Sequence, residues 1–164
     1  MMGRTKPYPM RLSNLSIALG LFTVSLISSC KKEEADPCDN VVCLNGGSCN
    51  SGACSCATGY EGATCATEVR AKFIGQYNGT LSCPGVNGTV NMTITNSAAG
   101  INTIVFNDGA DTWTGTVSGS SLNIPTQTLG GGATISGSGQ LAGLILTLNF
   151  NLGGSTCTYS GTKQ

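Results

Sequence analysis

From residue 73 onward the chain alternates apolar and polar residues with a period of two, which is typical of strands that turn one face to a core. The intervening residues are mostly Thr, Ser and Asn. The apolar series is Phe73, Gly75, Tyr77, Gly79, Leu81 and Cys83; Val90, Met92 and Ile94; Ile104 and Phe106; Trp113, Gly115 and Val117; Leu122 and Ile124; Ile135; Leu144, Leu146, Leu148, Phe150 and Leu152; Cys157 and Tyr159. The pattern predicts an all-β domain over residues 69–164, with eight antiparallel strands forming an up-and-down barrel or a flattened sandwich.

Glycine-containing pairs separate these apolar runs and predict the turns between strands. The predicted turn pairs are Asn87-Gly88, Asp108-Gly109, Ser118-Gly119, Ala142-Gly143 and Gly153-Gly154. Many positions on the apolar face are themselves Gly or Ala, which is compatible either with a pocket or with a thin barrel filled by its own side chains.

The first thirty residues follow a different pattern. Basic Arg4, Lys6 and Arg11 precede an apolar stretch over residues 15–27 that is short for a membrane-spanning helix. The stretch ends in Ile27-Ser28-Ser29-Cys30, which resembles the lipobox of bacterial lipoproteins. The resemblance implies a signal peptide over residues 1–29, a lipid-bearing thiol on Cys30 and a linker over residues 30–35. An ordinary signal peptide is the alternative.

The residues after Cys30 bear on localisation. No Asp follows Cys30 directly, and the stretch from Lys31 to Asp36 is charged and contains acids. It resembles the surface-export signal of Bacteroidota lipoproteins, which implies a lipid anchor in the outer membrane and exposure on the cell surface. A solvated linker on a periplasm-facing lipoprotein is the alternative.

Nine cysteines divide into one near the lipobox, six between Cys38 and Cys65, and the two outliers Cys83 and Cys157. Such dense cysteine usage indicates an oxidising compartment. The six central cysteines allow fifteen pairings. Their intervals, with Asn45-Gly46-Gly47 before the third cysteine and Gly59-Tyr60 after the fifth, resemble an EGF-like domain over residues 36–67. The resemblance implies the disulfides Cys38–Cys49, Cys43–Cys54 and Cys56–Cys65.

Metal binding by this module is not expected. Zinc is disfavoured because the chain has no histidine and the cysteines lack paired C-x-x-C spacing. Calcium is also disfavoured, since the acids Glu33, Glu34 and Asp36 do not follow the order of calcium-binding EGF-like domains and the loop over residues 50–53 is short.

Cys83 ends the first predicted barrel strand and Cys157 lies in the last. These strands are neighbours in a closed eight-stranded barrel, so a Cys83–Cys157 disulfide at the seam is predicted; two unrelated cysteines are the alternative. The segments Lys72-Phe73-Ile74-Gly75-Gln76-Tyr77 and Gly137-Ser138-Gly139-Gln140-Leu141 loosely resemble lipocalin-like (calycin) domains. That resemblance implies an apolar ligand or lipid inside the barrel.

The remaining chemistry argues against an enzyme. Without histidine, Asp108 and Asp111 are the only carboxylates of the β domain, and they are expected to be solvated in a turn. From Cys30 onward five basic residues face eight acidic ones, a net charge of −3, which disfavours nucleic-acid binding. No cofactor is expected.

Three functions remain open. The first is binding of a small apolar ligand or lipid, which a void above about 300 Å³ would favour. The second is non-catalytic adhesion to a protein or glycan partner, which an exposed aromatic patch around Trp113 would favour. The third is a structural accessory without a ligand.

Overall fold

The computed structural model describes residues 35–164, of which residues 37–164 form one compact unit. The predicted signal peptide and the lipidation of Cys30 lie outside the described residues. No helix in the described part is long and apolar enough to cross a membrane.

The first part of the unit, residues 37–68, is here called the cystine module. It contains two short hairpins, whose strands are β1 (Ser48–Asn50) with β2 (Ala53–Ser55), and β3 (Tyr60–Glu61) with β4 (Thr67–Glu68). Its disulfides are Cys38–Cys49, Cys43–Cys54 and Cys56–Cys65, the pairs that the EGF-like resemblance implies. Thirty residues bury too little apolar surface to offset chain entropy, so these cross-links take the place of a core.

The second part is a closed, eight-stranded antiparallel barrel, as the alternation predicts. A short 3₁₀ helix (Val69–Lys72) leads into it. The strands are β5 (Gly75–Cys83), β6 (Val86–Asn96), β7 (Thr103–Asn107), β8 (Thr112–Ser118), β9 (Ser121–Thr128), β10 (Thr134–Ala142), β11 (Ile145–Leu152) and β12 (Ser155–Lys163). Each strand pairs with the next in the chain, and β12 pairs with β5 to close the ring. The topology is therefore the up-and-down barrel.

The Cys83–Cys157 disulfide lies at the closing seam, with 4.3 Å between the two Cα atoms. Thr158 pairs with Ser82 in the β12–β5 ladder, so the two cysteines are placed opposite each other at the next position along the strands. The bridge joins the first and last barrel strands, which are 74 residues apart in sequence.

The two ends of the barrel differ. One end, called the closed end, carries the 3₁₀ helix and the connections over residues 97–102, 119–120 and 143–144. The buried side chains of Val69 and Phe73 lie there. The opposite end, called the open end, carries the connections over residues 84–85, 108–111, 129–133 and 153–154.

The inward glycines do not leave empty space along the barrel. A Cβ on Gly79 or Gly161 would overlap the ring of Tyr159, and one on Gly115 would lie 2.6 Å from Leu122 Cδ1. Gly139 similarly gives room to the side chain of Leu148. The small residues thus accommodate large neighbours, and much of the interior is packed by the protein itself.

Two sequence predictions are wrong, one about the position of a turn and one about an inward-facing residue. Asn87 and Gly88 are paired within the β5–β6 ladder, and the chain reverses at Pro84-Gly85 instead. Proline presets φ for the first central position, and Gly85 supplies the positive φ of 80° needed at the second. Leu144, expected on the inward face, is 60% exposed because it lies in the turn before β11.

The cystine module packs against the closed end. The Val69 backbone N–H donates to the Gly59 carbonyl (2.9 Å), and the side chain of Ile101, from the β6–β7 connection, lies against Gly59. Arg70 Nη1 donates to the carbonyls of Ser97 (2.8 Å), Gly100 (2.8 Å) and Thr103 (3.2 Å), so one guanidinium ties the 3₁₀ helix to that connection.

Candidate functional site: a cavity at the open end

An apolar cavity of about 180 Å³ lies inside the open end and is partly open to solvent. Ten of its twelve lining residues are apolar or aromatic, and the other two are aspartates. The lining residues are Leu81, Val90, Met92, Asp108, Asp111, Trp113, Leu129, Ala133, Ile135, Phe150, Leu152 and Tyr159. The site is therefore a mainly apolar cavity with one pair of carboxylates in its lining.

Trp113 forms part of one wall and stacks on Phe106, which does not itself line the cavity. Trp113 on β8 lies opposite Phe106 on β7, and the two rings stack with centroids 5.5 Å apart. Trp113 is 6% exposed, and its indole Nε1 is inaccessible and makes no hydrogen bond. A buried donor without a partner is unfavourable by roughly 1–3 kcal/mol, a cost that the packing of the ring must offset.

Two buried tyrosines separate the cavity from the closed end. Tyr77 Oη donates to the Phe73 carbonyl (2.9 Å), and Tyr159 Oη lies 3.2 Å from the Tyr77 carbonyl and 3.4 Å from that of Val90. Burial raises the pKa of Tyr77 to about 12, and the neighbouring Tyr159 adds to the effect. Burial also raises the pKa of Tyr159. Both phenols therefore stay neutral and act as hydrogen-bond donors that fix the barrel's interior.

The acidic pair is held in place by the loops of the open end. Asp108 Oδ1 accepts the backbone N–H groups of Ala110 (2.9 Å) and Asp111 (2.8 Å), and Asp111 Oδ1 accepts that of Gly130 (3.1 Å). Both aspartates lie in the turn, as expected, but each is half-buried and lines the cavity instead of being fully solvated. Asp111 also ties the glycine-rich loop over residues 129–133 to the β7–β8 turn.

The two structural criteria set out in the sequence analysis, a large void and an exposed aromatic patch around Trp113, are not met. The cavity is smaller than the void of about 300 Å³ expected of a typical ligand pocket. Trp113 is buried, so it does not form the exposed aromatic patch that would have favoured adhesion. In residues 35–164 no three His, Cys, Asp or Glu side chains are grouped so as to hold a metal ion.

The site combines residues that sequence reasoning found with residues that it missed. Trp113, Ile135, Phe150 and Tyr159 were expected on the inward face by alternation. Leu129 and Ala133 were missed because they belong to a loop without periodicity. The sequence signal for that loop was the Gly130–Gly132 run, which marks a connection but not what it covers.

The chain matches no protein-family model, no curated protein and no solved structure with which it was compared. The functional interpretation therefore depends on the geometry of the cavity and on the chemistry of the residues around it.

Proposed function

We propose that this protein is a membrane-anchored cell-envelope lipoprotein whose barrel binds a small apolar ligand in the open-end cavity. The observation that supports this proposal is the cavity itself, which is lined by ten apolar or aromatic residues in an otherwise packed barrel. A barrel that needed only to be stable would fill this end with side chains, as it fills the rest.

The cavity volume bounds the ligand. An apolar protein cavity of roughly 150 Å³ holds a benzene-sized molecule. The 180 Å³ cavity therefore suits a single aromatic ring, a short branched chain or the terminal part of a longer lipid whose remainder extends through the open end. A complete long-chain lipid does not fit inside.

The anchor is proposed from the sequence around Cys30, with acylation of the thiol and placement in the outer membrane, facing the cell surface. The cystine module, proposed to be EGF-like, follows as a compact spacer that is fixed to the barrel through Arg70 and Val69. The intact mass of protein from membranes should carry acyl chains, and Cys30→Ser should abolish both this mass and partition into detergent. Unmodified wild-type protein would contradict the anchor without affecting the cavity.

Ligand binding is testable with the protein's own reporter, because Trp113 is the single tryptophan and lines the cavity. Titration with benzyl alcohol, as an uncharged probe of suitable size, should change the tryptophan fluorescence and saturate. Val90→Phe places a ring in the cavity and should abolish the response.

A matched control is available on the same strand. Val86 is 61% exposed on β6 and does not line the cavity, so Val86→Phe should bind like the wild type. If benzyl alcohol gives no saturable signal by fluorescence or calorimetry, or if Val90→Phe binds equally well, the cavity is not a binding site. Native mass spectrometry of protein purified from its host would identify the natural ligand.

Adhesion to a protein or glycan remains the alternative, and one surface feature favours it. A groove of about 480 Å³ lies between the cystine module and the barrel, with Tyr60 and Glu61 on one side and Asn102 on the other. Loss of binding to a glycan array in Tyr60→Ala, with retained benzyl alcohol binding, would assign this second function to the groove.

A further inference from the structure

We propose that the ligand of the open-end cavity is an organic cation, a small amine carried on an apolar body. This inference deepens the proposed function, since it names the chemical class of the ligand for the same cavity. Its basis is the distribution of charge around the cavity, together with the hydrogen bonds that the two aspartates make and leave unmade.

Among residues 35–164, the charged side chains at the open end are both acidic. Asp108 and Asp111 line the cavity, whereas the three basic side chains of residues 35–164 belong to the closed end. There, Arg70 and Lys72 pair with Glu68 and Glu61, at 2.8 Å and 2.7 Å. Lys163 Nζ also points to the closed end, where it donates to the Lys72 carbonyl. No cation in the described chain neutralises the acidic pair.

Each aspartate has one oxygen engaged and one available. The Oδ1 atoms accept backbone N–H groups from the surrounding loops, which fixes both carboxylates in position. Among the described residues, neither Oδ2 atom accepts a hydrogen bond. A preorganised, half-buried carboxylate oxygen beside an apolar cavity attracts an ammonium group more strongly than a flexible surface carboxylate does.

The apolar walls are compatible with the same ligand. The rings of Trp113 and Tyr159 line the cavity together with aliphatic side chains. The face of an indole attracts a cation placed within about 6 Å of its centre, and the aliphatic side chains take the apolar body. An anion such as a fatty-acid carboxylate would instead meet two like charges at the mouth.

Three probes with one apolar body separate these possibilities. Benzylamine, benzyl alcohol and benzoate are titrated into the full chain by calorimetry, with Trp113 fluorescence as a second readout. Benzylamine should bind about tenfold more tightly than benzyl alcohol, and benzoate at least about tenfold more weakly, each corresponding to about 1.4 kcal/mol. Added salt should reduce the preference for the amine, because screening weakens the charge interaction.

Asp108→Asn and Asp111→Asn provide the decisive variants, because asparagine keeps the Oδ1 acceptor that the loops require. The double variant should bind all three probes within about threefold of one another while its melting temperature stays close to that of the wild type. Asp39→Asn, in an exposed part of the cystine module, changes the net charge without touching the cavity and should keep the preference for the amine.

The outcomes distinguish this inference from the function on which it depends. If benzyl alcohol binds and Val90→Phe abolishes its binding, but benzylamine binds no better or the double variant keeps the preference, then the cationic ligand class is overturned and the apolar cavity stands. If none of the three probes binds, both proposals are overturned.

Discussion

Two glycines that face each other across the β12–β5 seam leave the space that the Tyr159 ring occupies. Gly161 pairs with Gly79, and a Cβ on Gly161 would overlap the phenol of Tyr159. At this position the side chain must be absent, because the neighbouring ring cannot move out of a closed interior.

Gly161→Ala should therefore destabilise the protein by about 1–3 kcal/mol through overpacking, measured by urea unfolding of the oxidised protein. Gly88→Ala is the matched control in β6, since its added Cβ meets nothing within 4 Å. The control should be neutral or stabilising by up to about 1 kcal/mol. Equal losses in the two variants would show that strand propensity, not the Tyr159 ring, sets the cost.

The buried phenol of Tyr77 predicts a loss of stability in alkali. Its pKa of about 12 lies above the ordinary value of 10.0, so the unfolded chain releases this proton first as the pH rises. The stabilising contribution is complete below about pH 10 and decreases between pH 10 and 12 by about 1.4 kcal/mol per pH unit. Tyr77→Phe should show a shallower decline in urea unfolding over this range, and an unchanged slope would contradict the buried neutral phenol.

At the scale of elements, the connection over residues 97–102 depends on a guanidinium from outside the barrel. Arg70 donates to the Ser97 and Gly100 carbonyls of this connection, to the Thr103 carbonyl at the start of β7, and to Glu68, and its side chain is 11% exposed. Arg70→Ala should cost about 1–3 kcal/mol and increase hydrogen exchange at the Ser97 and Thr103 amides, because three part-buried carbonyls lose a charged donor. Lys72→Ala removes only a half-exposed ion pair and should cost less than about 1 kcal/mol.

The strands and turns also show how much of the fold can be predicted from a single sequence. The alternation correctly predicts Met92, Phe106 and Leu148 on the inward face. A shift of one residue would turn all the apolar side chains of a strand outward, so only one register buries them. The sequence does not predict the Pro84-Gly85 turn, because Asn87-Gly88 is the stronger local hairpin signal. Only the pairing of β5 with β6 shows that Asn87 and Gly88 lie within a strand. Contacts between distant parts, such as Arg70 with Ser97, leave no local pattern.

The candidate site was predictable in part for the same reason. Its walls come from strands, and their inward positions follow from periodicity. Its mouth comes from loops, and the approach of Gly130 to Asp111 depends on how two connections at the same end meet. The aspartates were noticed in the sequence, but their position beside an apolar chamber is a tertiary property.

At the scale of the whole molecule, one covalent bond secures the ring of strands. The Cys83–Cys157 bridge closes a loop of 74 residues, for which chain entropy contributes about 4 kcal/mol. Cys83→Ala with Cys157→Ala should lower the unfolding free energy by about that amount and leave the three module disulfides intact, as judged by intact mass. A loss below about 1 kcal/mol would mean that the hydrogen-bonded seam holds without it.

The cavity lies at one end of a barrel whose other half is filled by side chains. This position has a consequence for the rate at which the proposed ligand would exchange. With Phe73 and the two tyrosines filling the opposite half, a ligand bound as proposed would enter and leave through the open end, beside Asp108 and the glycine-rich loop. A second ligand molecule would have no route past the bound one, so exchange would require the bound ligand to dissociate first. Turnover would then be governed by the residence time of the bound molecule, whatever the supply outside.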